Sequence, residues 1–197
     1  MKRFAGVATA SVLVVLLSGT AVRPQSNPLR EEIKRLIVRL DLKFEDGTRF
    51  GAGIVFGAAN DEVYIVTVNH VVRDGDRPGQ DVQVELYTER GKPRSGKLAT
   101  HFDVDHDLAV VIVPNAKAQG IDVDAFPFDR VGDPAELTEG DPVFLAGHPQ
   151  GVPWSVSVTP DGFVETQQEW LRFESKSLFP GHSGGALLNS RFEMLGC

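Results

Sequence analysis

The sequence predicts an all-β protein built from two small antiparallel barrels. Short runs of β-branched and aromatic residues alternate with turn residues, and the runs fall into two sets on either side of residues 114–139, which have little β character. Within the runs apolar and polar residues nearly alternate, as in Val82–Leu86, which is the period of strands with one buried face. With 42% hydrophobic and 24% charged residues, the 197-residue chain has enough apolar side chains for a globular core.

The first set of predicted strands precedes the stretch of low β character. These strands are Leu40–Phe44, Phe50–Phe56, Val63–Val68, Val82–Tyr87 and Leu108–Val113. The turn dipeptides between them are Asp46-Gly47, Asn60-Asp61, Asp74-Gly75 and Arg90-Gly91. Ahead of this set, the apolar residues of 29–40 suit either a short helix or the beginning of a first strand, and the pattern alone does not decide between them.

The second set of predicted strands follows the connector. These strands are Pro142–Ala146, Ser155–Thr159, Gly162–Thr166, Trp170–Ser175, Ala186–Leu188 and Glu193–Leu195. Because the last of them has no partner after it, we expect the second barrel to be incomplete at the carboxyl end. A natural end with a final edge strand is the alternative.

The first 21 residues have the layout of a secretory signal peptide. Lys2 and Arg3 precede an apolar run, Phe4–Leu17, and small residues follow up to Ala21. The run is shorter than the roughly 20 residues that span a bilayer, so we expect cleavage, export to the periplasm or the medium, and no stable membrane insertion. An uncleaved membrane anchor is the alternative. The predicted organisation is a signal peptide (1–21), a leader (22–32), a first barrel (33–115), a connector (116–139) and a second, incomplete barrel (140–197).

Composition excludes several classes of partner and cofactor. The net charge is −7, and cleavage would remove two further basic residues, which argues against nucleic acid as a partner. The one cysteine, Cys197, leaves no internal disulfide to form. The spacing of histidines and aspartates over 101–107 matches no strong zinc pattern, so we predict neither a metal nor another cofactor. The pattern makes no prediction of oligomeric state.

Ser183 is a candidate nucleophile. It lies in the glycine-dense turn Gly181–Gly185, just before an apolar strand. Such a turn can aim the backbone N–H groups of Gly181 and Ser183 at one point, where they would stabilise an oxyanion. A serine hydroxyl needs a base to become a nucleophile. The plain alternative is a surface loop without catalytic function.

Two earlier residues supply the groups that a nucleophilic serine requires. His70 ends the apolar run that begins at Val63, and Asp107 directly precedes the apolar run from Leu108. An aspartate beside a histidine holds its tautomer and stabilises the imidazolium. The order is His, Asp, Ser, with two residues on the first barrel and one on the second, which predicts a catalytic cleft between the barrels.

The sequence resembles the trypsin/chymotrypsin-like serine peptidases, and particularly their bacterial Deg-type branch. The resemblance covers roughly residues 33–197. Its carriers occur in the family's order: Gly51–Val55, Thr67–Val72, Asp107–Val110, Gly147–Gly151 and Gly181–Leu188. Two departures from the family pattern are Val68-Asn69, where small residues usually precede the histidine, and His182, where Asp or Asn commonly precedes the serine.

The resemblance implies a chymotrypsin-like fold of two six-stranded barrels and a serine endopeptidase acting on proteins or peptides. His70 would be the general base, Asp107 its orienting partner and Ser183 the nucleophile, with the N–H groups of Gly181 and Ser183 as the oxyanion hole. Ser177 would line the base of the specificity pocket and favour apolar side chains. A catalytically inactive binding module and an esterase using the same residues are the alternatives. We expect His101, His106, His148 and His182 to be surface or loop histidines.

Overall fold

The computed structural model describes residues 27–197. The predicted signal peptide and most of the predicted leader lie outside these described residues. Within residues 27–197, no helix combines the length and the apolar character that a membrane crossing requires.

The described residues form fifteen strands and two short α-helices. The helices are α1 (Pro28–Ile33) and α2 (Asn69–Val72). The strands are β1 (Ile37–Phe44), β2 (Gly47–Ala59), β3 (Glu62–Val68), β4 (Arg73–Asp74), β5 (Arg77–Pro78), β6 (Gln80–Leu86), β7 (Arg94–Ser95), β8 (Lys97–Leu98), β9 (Leu108–Val113), β10 (Pro142–Gly147), β11 (Ser155–Val156), β12 (Asp161–Gln167), β13 (Trp170–Glu174), β14 (Ala186–Leu188) and β15 (Met194–Gly196). Single 3-10 turns occupy Tyr87–Glu89, Val123–Ala125, Pro134–Glu136 and Pro149–Gly151.

Strands β1–β3 and β6–β9 form the first barrel, an antiparallel sheet in the order β7-β6-β1-β2-β3-β9-β8. The two edge strands β7 and β8 are one stretch of chain interrupted at Gly96, whose N–H donates to Val82 O at 2.9 Å. That stretch pairs with β6 on one side and with β9 on the other, so the sheet closes on itself. Counted this way, the barrel has six strands, as predicted.

The turn chemistry of the first barrel follows from its sequence. Asn60 and Asp61 connect β2 to β3 with φ angles of 54° and 61°, the left-handed pair that a type I′ hairpin turn requires and that Asn and Asp tolerate. Beyond this turn, buried and partly exposed residues alternate along β3 and β9. The alternation puts Val63, Ile65 and Val111 in the core, completely shielded from solvent.

The second barrel is a separate antiparallel sheet in the order β13-β12-β10-β14-β15, with β11 paired to β10. Its own small core consists of the buried side chains Val143, Leu145, Phe163, Leu187 and Leu195. Among the described residues, β13 and β15 are the ends of this sheet. The prediction of an all-β fold with two barrels is confirmed.

The structure resolves the choice left open for residues 29–40, because both a helix and a strand occur there. Asn27 caps α1 by accepting a hydrogen bond from Leu29 N at 3.0 Å, and Pro28 begins the helix. The alternating, β-branched stretch from Ile37 then forms β1, which pairs with β2 and β6. The helix therefore occupies only the first part of residues 29–40, and the first strand begins before the predicted Leu40.

Two aromatic side chains of the second half of the chain join the barrels. His148 Nε2 donates to Val38 O at 3.1 Å, and Trp154 Nε1 donates to Ile37 O at 3.0 Å, so both rings reach main-chain oxygens of β1. Trp154 N in turn donates to His148 Nδ1 at 3.1 Å. His148 lies in the loop after β10, as expected, but it is 0% exposed and therefore not a surface histidine. Sequence could not predict this burial, since Val38, whose oxygen accepts from the ring, lies on β1 at a distance of 110 residues along the chain.

Because His148 is neutral in the fold, we expect the protein to lose stability as the pH falls below about 6.5. Burial lowers the pKa of His148 from 6.5 to about 4. Between these values the unfolded chain binds a proton that the native state excludes, so acid favours unfolding. From pH 7.5 to pH 5, this one group should reduce the free energy of unfolding by about 2 kcal/mol.

Urea denaturation of the wild-type chain and His148→Gln at pH 7.5 and pH 5 measures this contribution. The variant is expected to be less stable at both values but to change less between them, because the carboxylates and other histidines titrate in both proteins. Equal changes in the two proteins would contradict the assignment to His148.

Candidate active site

Strand pairing in the first barrel brings His70 and Asp107 together. The register of β3 and β9 places Val68, the last residue of β3, opposite Leu108, the first residue of β9. His70 follows on α2 and Asp107 precedes β9, so both lie just beyond the same end of one strand pair. Asp107 has a φ of 55°, a left-handed conformation that aspartate tolerates better than most residues.

Asp107 binds His70 through both its side-chain ring and its backbone. The carboxylate Oδ2 lies 2.6 Å from Nδ1 of the ring, and Oδ1 accepts a hydrogen bond from the His70 N–H at 2.9 Å. The main-chain oxygen of Asp107 accepts from Asn69 N at 2.6 Å. These three contacts hold the Nδ1 edge of the imidazole against the carboxylate and leave Nε2 free of it.

Two consecutive tight turns shape the segment around Ser183. His182 N donates to Phe179 O at 3.1 Å, and Gly185 N donates to His182 O at 2.7 Å. Gly181 has a φ of +99°, and a Cβ atom there would lie 2.1 Å from His148 O, so both conformation and space demand glycine. His148 N and Gln150 N hold the segment from outside by donating to Gly181 O and Pro180 O.

The N–H groups of Gly181 and Ser183 donate no hydrogen bond to any of residues 27–197. The amides of His182 and Gly185 are paired in the turns, whereas that of Gly184 also has no partner among residues 27–197. Buried or partly buried backbone N–H groups normally find a partner, so two free donors flanking His182 are suited to bind a negatively charged oxygen atom.

Ser183 is anchored to the first barrel through its own carbonyl group. Its main-chain oxygen accepts a hydrogen bond from Ala52 N on β2 at 2.9 Å. Within the described residues, no hydrogen bond joins the Ser183 hydroxyl to His70. Catalytic hydrogen bonds are often long in free enzymes and shorten when substrate binds, so this geometry is compatible with a resting site.

A cavity of about 1160 Å³ lies beside Ser183. Its wall includes the apolar side chains of Trp170, Leu178 and Phe179, which are also exposed to solvent. Ser177 is not among the lining residues, and its hydroxyl donates to the buried carboxylate of Asp161 at 2.7 Å. The role of Ser177 in specificity stays a prediction.

The remaining histidines differ in environment. His182 is only 7% exposed, its Nδ1 accepts from Phe179 N at 3.1 Å, and burial lowers its pKa, so it is a loop residue but not a surface one. His106 lies between two carboxylates, 2.7 Å from Asp103 and 2.8 Å from Glu169, and the hydrogen bond with Asp103 raises its pKa. Neither is hydrogen-bonded to Ser183 among the described residues.

Sequence reasoning did not single out Ala52 or Thr67 as site residues. In the sequence, Ala52 lies within a glycine-containing strand and Thr67 begins the segment that ends at Val72, and neither position resembles a catalytic residue. Both are completely buried at the junction with the Ser183 turn. The available signal was the polar Thr67 at an otherwise apolar strand end, which a buried position would have to satisfy.

A family model described as "Trypsin-like peptidase domain" matches residues 51–196 of this chain. The chain therefore belongs to the family of trypsin-like peptidase domains. The match begins at the strand that anchors Ser183 and includes His70, Asp107 and Ser183.

Within that family, similar curated proteins are HtrA-type serine proteases, which confirms the predicted resemblance to the Deg-type branch. The chain is 30% identical over 155 residues to "Serine protease Do-like HtrA" of Lactobacillus helveticus, covering 74% of this chain and 34% of that protein. It is 30% identical over 157 residues to "Serine protease Do-like HtrB" of Bacillus subtilis (strain 168), covering 74% of this chain and 31% of that protein. The chain thus spans about a third of the length of these relatives.

Solved structures of similar fold include two proteases. "HtrA-type protease AlgWS227A with tripeptide" has a TM-score of 0.66 and 20% identity, covering 85% of this chain and 52% of that one. "Crystal structure of the serine endoprotease from Yersinia pestis" has a TM-score of 0.64 and 23% identity, covering 88% and 57%. These similarities establish the chymotrypsin-like fold.

Proposed function

We propose that this chain is a serine endopeptidase that hydrolyses peptide bonds through an acyl-enzyme intermediate. The observation that carries the proposal is the paired contact of Asp107 with the ring and backbone of His70, at the junction where Ser183 is anchored to the same barrel. Membership of the trypsin-like peptidase domain family and similarity to HtrA-type serine proteases support the same activity.

In the acylation step, neutral His70 accepts the proton of the Ser183 hydroxyl through Nε2 while Oγ forms a bond to the substrate carbonyl carbon. The carbonyl oxygen becomes an oxyanion, which the N–H groups of Gly181 and Ser183 stabilise by donating hydrogen bonds. The C–N bond then breaks, and the imidazolium returns its proton to the leaving amine. Asp107 stabilises the imidazolium throughout without taking its proton.

Deacylation repeats these roles with water. His70 removes a proton from the water molecule, whose oxygen attacks the acyl carbon, and the ester bond to Ser183 breaks as the proton passes to Oγ. The products are a free carboxylic acid and the regenerated serine. No metal or organic cofactor takes part in this scheme.

The wider setting is also a proposal. Protein or peptide substrates fit the apolar wall beside Ser183, and export to the periplasm or the medium follows from the pattern of residues 1–21. The net charge of −7 argues against a nucleic-acid partner.

Covalent labelling with a fluorophosphonate tests the proposal directly. The Ser183 hydroxyl should attack phosphorus, form an O–P bond and expel fluoride, with His70 taking the proton. We expect intact-mass spectrometry to find one adduct per chain and peptide mapping to locate it on Ser183. Boiled protein is the control for nonspecific reaction. A folded chain that takes no label at Ser183 would contradict the proposal and favour a binding module.

A further inference from the structure

One buried contact connects the strand that leads to His70 with the turn that carries Ser183. On β2, Ala52 N donates to Ser183 O at 2.9 Å, and Ala52 O accepts from the Thr67 hydroxyl at 2.7 Å. Ala52 and Thr67 are both 0% exposed. Ala52 therefore accepts one hydrogen bond from β3 and donates one to the turn that contains Ser183.

Strand pairing explains why Ala52 is available for both contacts. The register of β2 with β3 ends at Ile54 and Val66, so Ala52 lies beyond the ladder. On its other side β2 still pairs with β1, with Ala52 opposite Arg39. Because the N–H and C=O of one residue in an antiparallel strand point to the same side, both groups of Ala52 face away from β1. The Thr67 hydroxyl replaces the missing ladder donor, and Ser183 provides the missing acceptor.

The residue after the nucleophile packs directly on this contact. A Cβ atom on Gly184 would lie 2.2 Å from Ala52 O and 2.3 Å from Thr67 Oγ1. Gly184 also has a φ of +76°, which favours glycine. The main chain of Gly184 and the Thr67 hydroxyl are therefore in van der Waals contact. A displacement of Thr67 must then displace the turn that carries Ser183.

We propose that Thr67 is a positioning residue for Ser183. Its hydroxyl fixes the Ala52 peptide groups, and Ala52 in turn fixes the Ser183 carbonyl at a set distance from the end of β3. Since β3 continues into α2, which carries His70, the same strand end sets the place of both base and nucleophile. This role rests on the proposed peptidase function and names a residue that does not touch the substrate.

Three substitutions separate this role from a general effect on stability. Thr67→Val removes the hydroxyl and keeps the shape, Thr67→Ser keeps the hydroxyl and removes the methyl group, and Val63→Ala truncates a buried side chain at the other end of β3. The rate of fluorophosphonate labelling at saturation (kinact) and the half-saturating concentration (KI) are measured on protein shown to be folded by circular dichroism and urea denaturation.

Thr67→Val is expected to lower kinact about 10- to 100-fold with little change in KI, because a nucleophile displaced by a fraction of an ångström attacks less often while the probe still binds. Thr67→Ser should restore kinact to near the wild-type value. Val63→Ala should lower the urea midpoint but leave kinact nearly unchanged. The pH midpoint of kinact should be the same in all four proteins, since the contact of His70 with Asp107 is untouched.

The outcomes distinguish this inference from the function on which it rests. If the wild-type chain labels at Ser183 and folded Thr67→Val labels with an unchanged kinact, Thr67 has no positioning role and the proposed function stands. If kinact falls equally in Thr67→Val and Val63→Ala, the effect is one of stability and the inference fails. If Thr67→Val does not fold, Thr67→Ala compared with Thr67→Ser, which differ only by the hydroxyl oxygen, gives the same test. A wild-type chain that takes no label overturns the proposed function itself.

Discussion

Ser183→Ala is expected to lower kcat for peptide hydrolysis by about 10⁶-fold, the scale seen when the nucleophile of such a triad is removed. The substitution deletes one oxygen atom on a half-buried side chain, and the main-chain hydrogen bonds of the turn do not involve that atom. Thermal stability should therefore change little. Steady-state hydrolysis of a casein substrate or a fluorogenic peptide measures the loss.

Ser190→Ala is the matched control, since Ser190 is an exposed serine on the connection between β14 and β15. It should retain wild-type kcat and stability. Residual hydrolysis by Ser183→Ala at more than a few per cent of the wild-type rate would contradict the assignment of Ser183 as nucleophile and point to another group or to a contaminating peptidase.

Asp107→Asn is expected to lower kcat about 10⁴-fold at neutral pH while the fold is retained. The asparagine amide can donate to Nδ1 of His70, which favours the tautomer that carries its proton on Nε2 and cannot accept the serine proton. Asparagine also tolerates the left-handed φ of 55° at this position, so backbone strain should not confuse the result. Steady-state kinetics combined with urea denaturation separate the chemical effect from instability.

Asp103→Asn is a close control because Asp103 holds a neighbouring histidine in the same way. Its carboxylate lies 2.7 Å from His106 Nδ1 and accepts from His106 N at 3.1 Å, which repeats the contacts of Asp107 with His70. Both side chains line the cavity beside Ser183, so their loss should act mainly on KM. Because neither takes part in the proposed proton transfers, kcat should stay within about threefold of wild type. Equal losses in the two variants would mean that Asp107 has no special role.

Much of the β structure was predictable because local sequence carries its signals. The strands Leu108–Val113 and Ala186–Leu188 have the predicted bounds, and the Asn60-Asp61 turn connects the predicted neighbours. Signals failed where strands were very short. The strands β4, β5, β7 and β8 have two residues each, too few for an alternating pattern to emerge.

The candidate site was predictable only in part, for a related reason. The glycine-dense turn at Ser183 and the placement of His70 and Asp107 at strand ends are visible along the chain. The burial of His148 and the contact of Thr67 with Ala52 each depend on residues that are not neighbours in sequence.

The sequence by itself determined the class of fold, the order of the His, Asp and Ser residues, and the family, because periodicity, turn residues and motifs are local properties. Only the tertiary structure decided how the two barrels are joined. His148 reaches Val38 across 110 residues, and Ser183 meets Ala52 where β2 leaves its ladder with β3. Such contacts satisfy buried polar groups, and a buried polar group finds its partner through the packing of whole elements rather than through its neighbours in the chain.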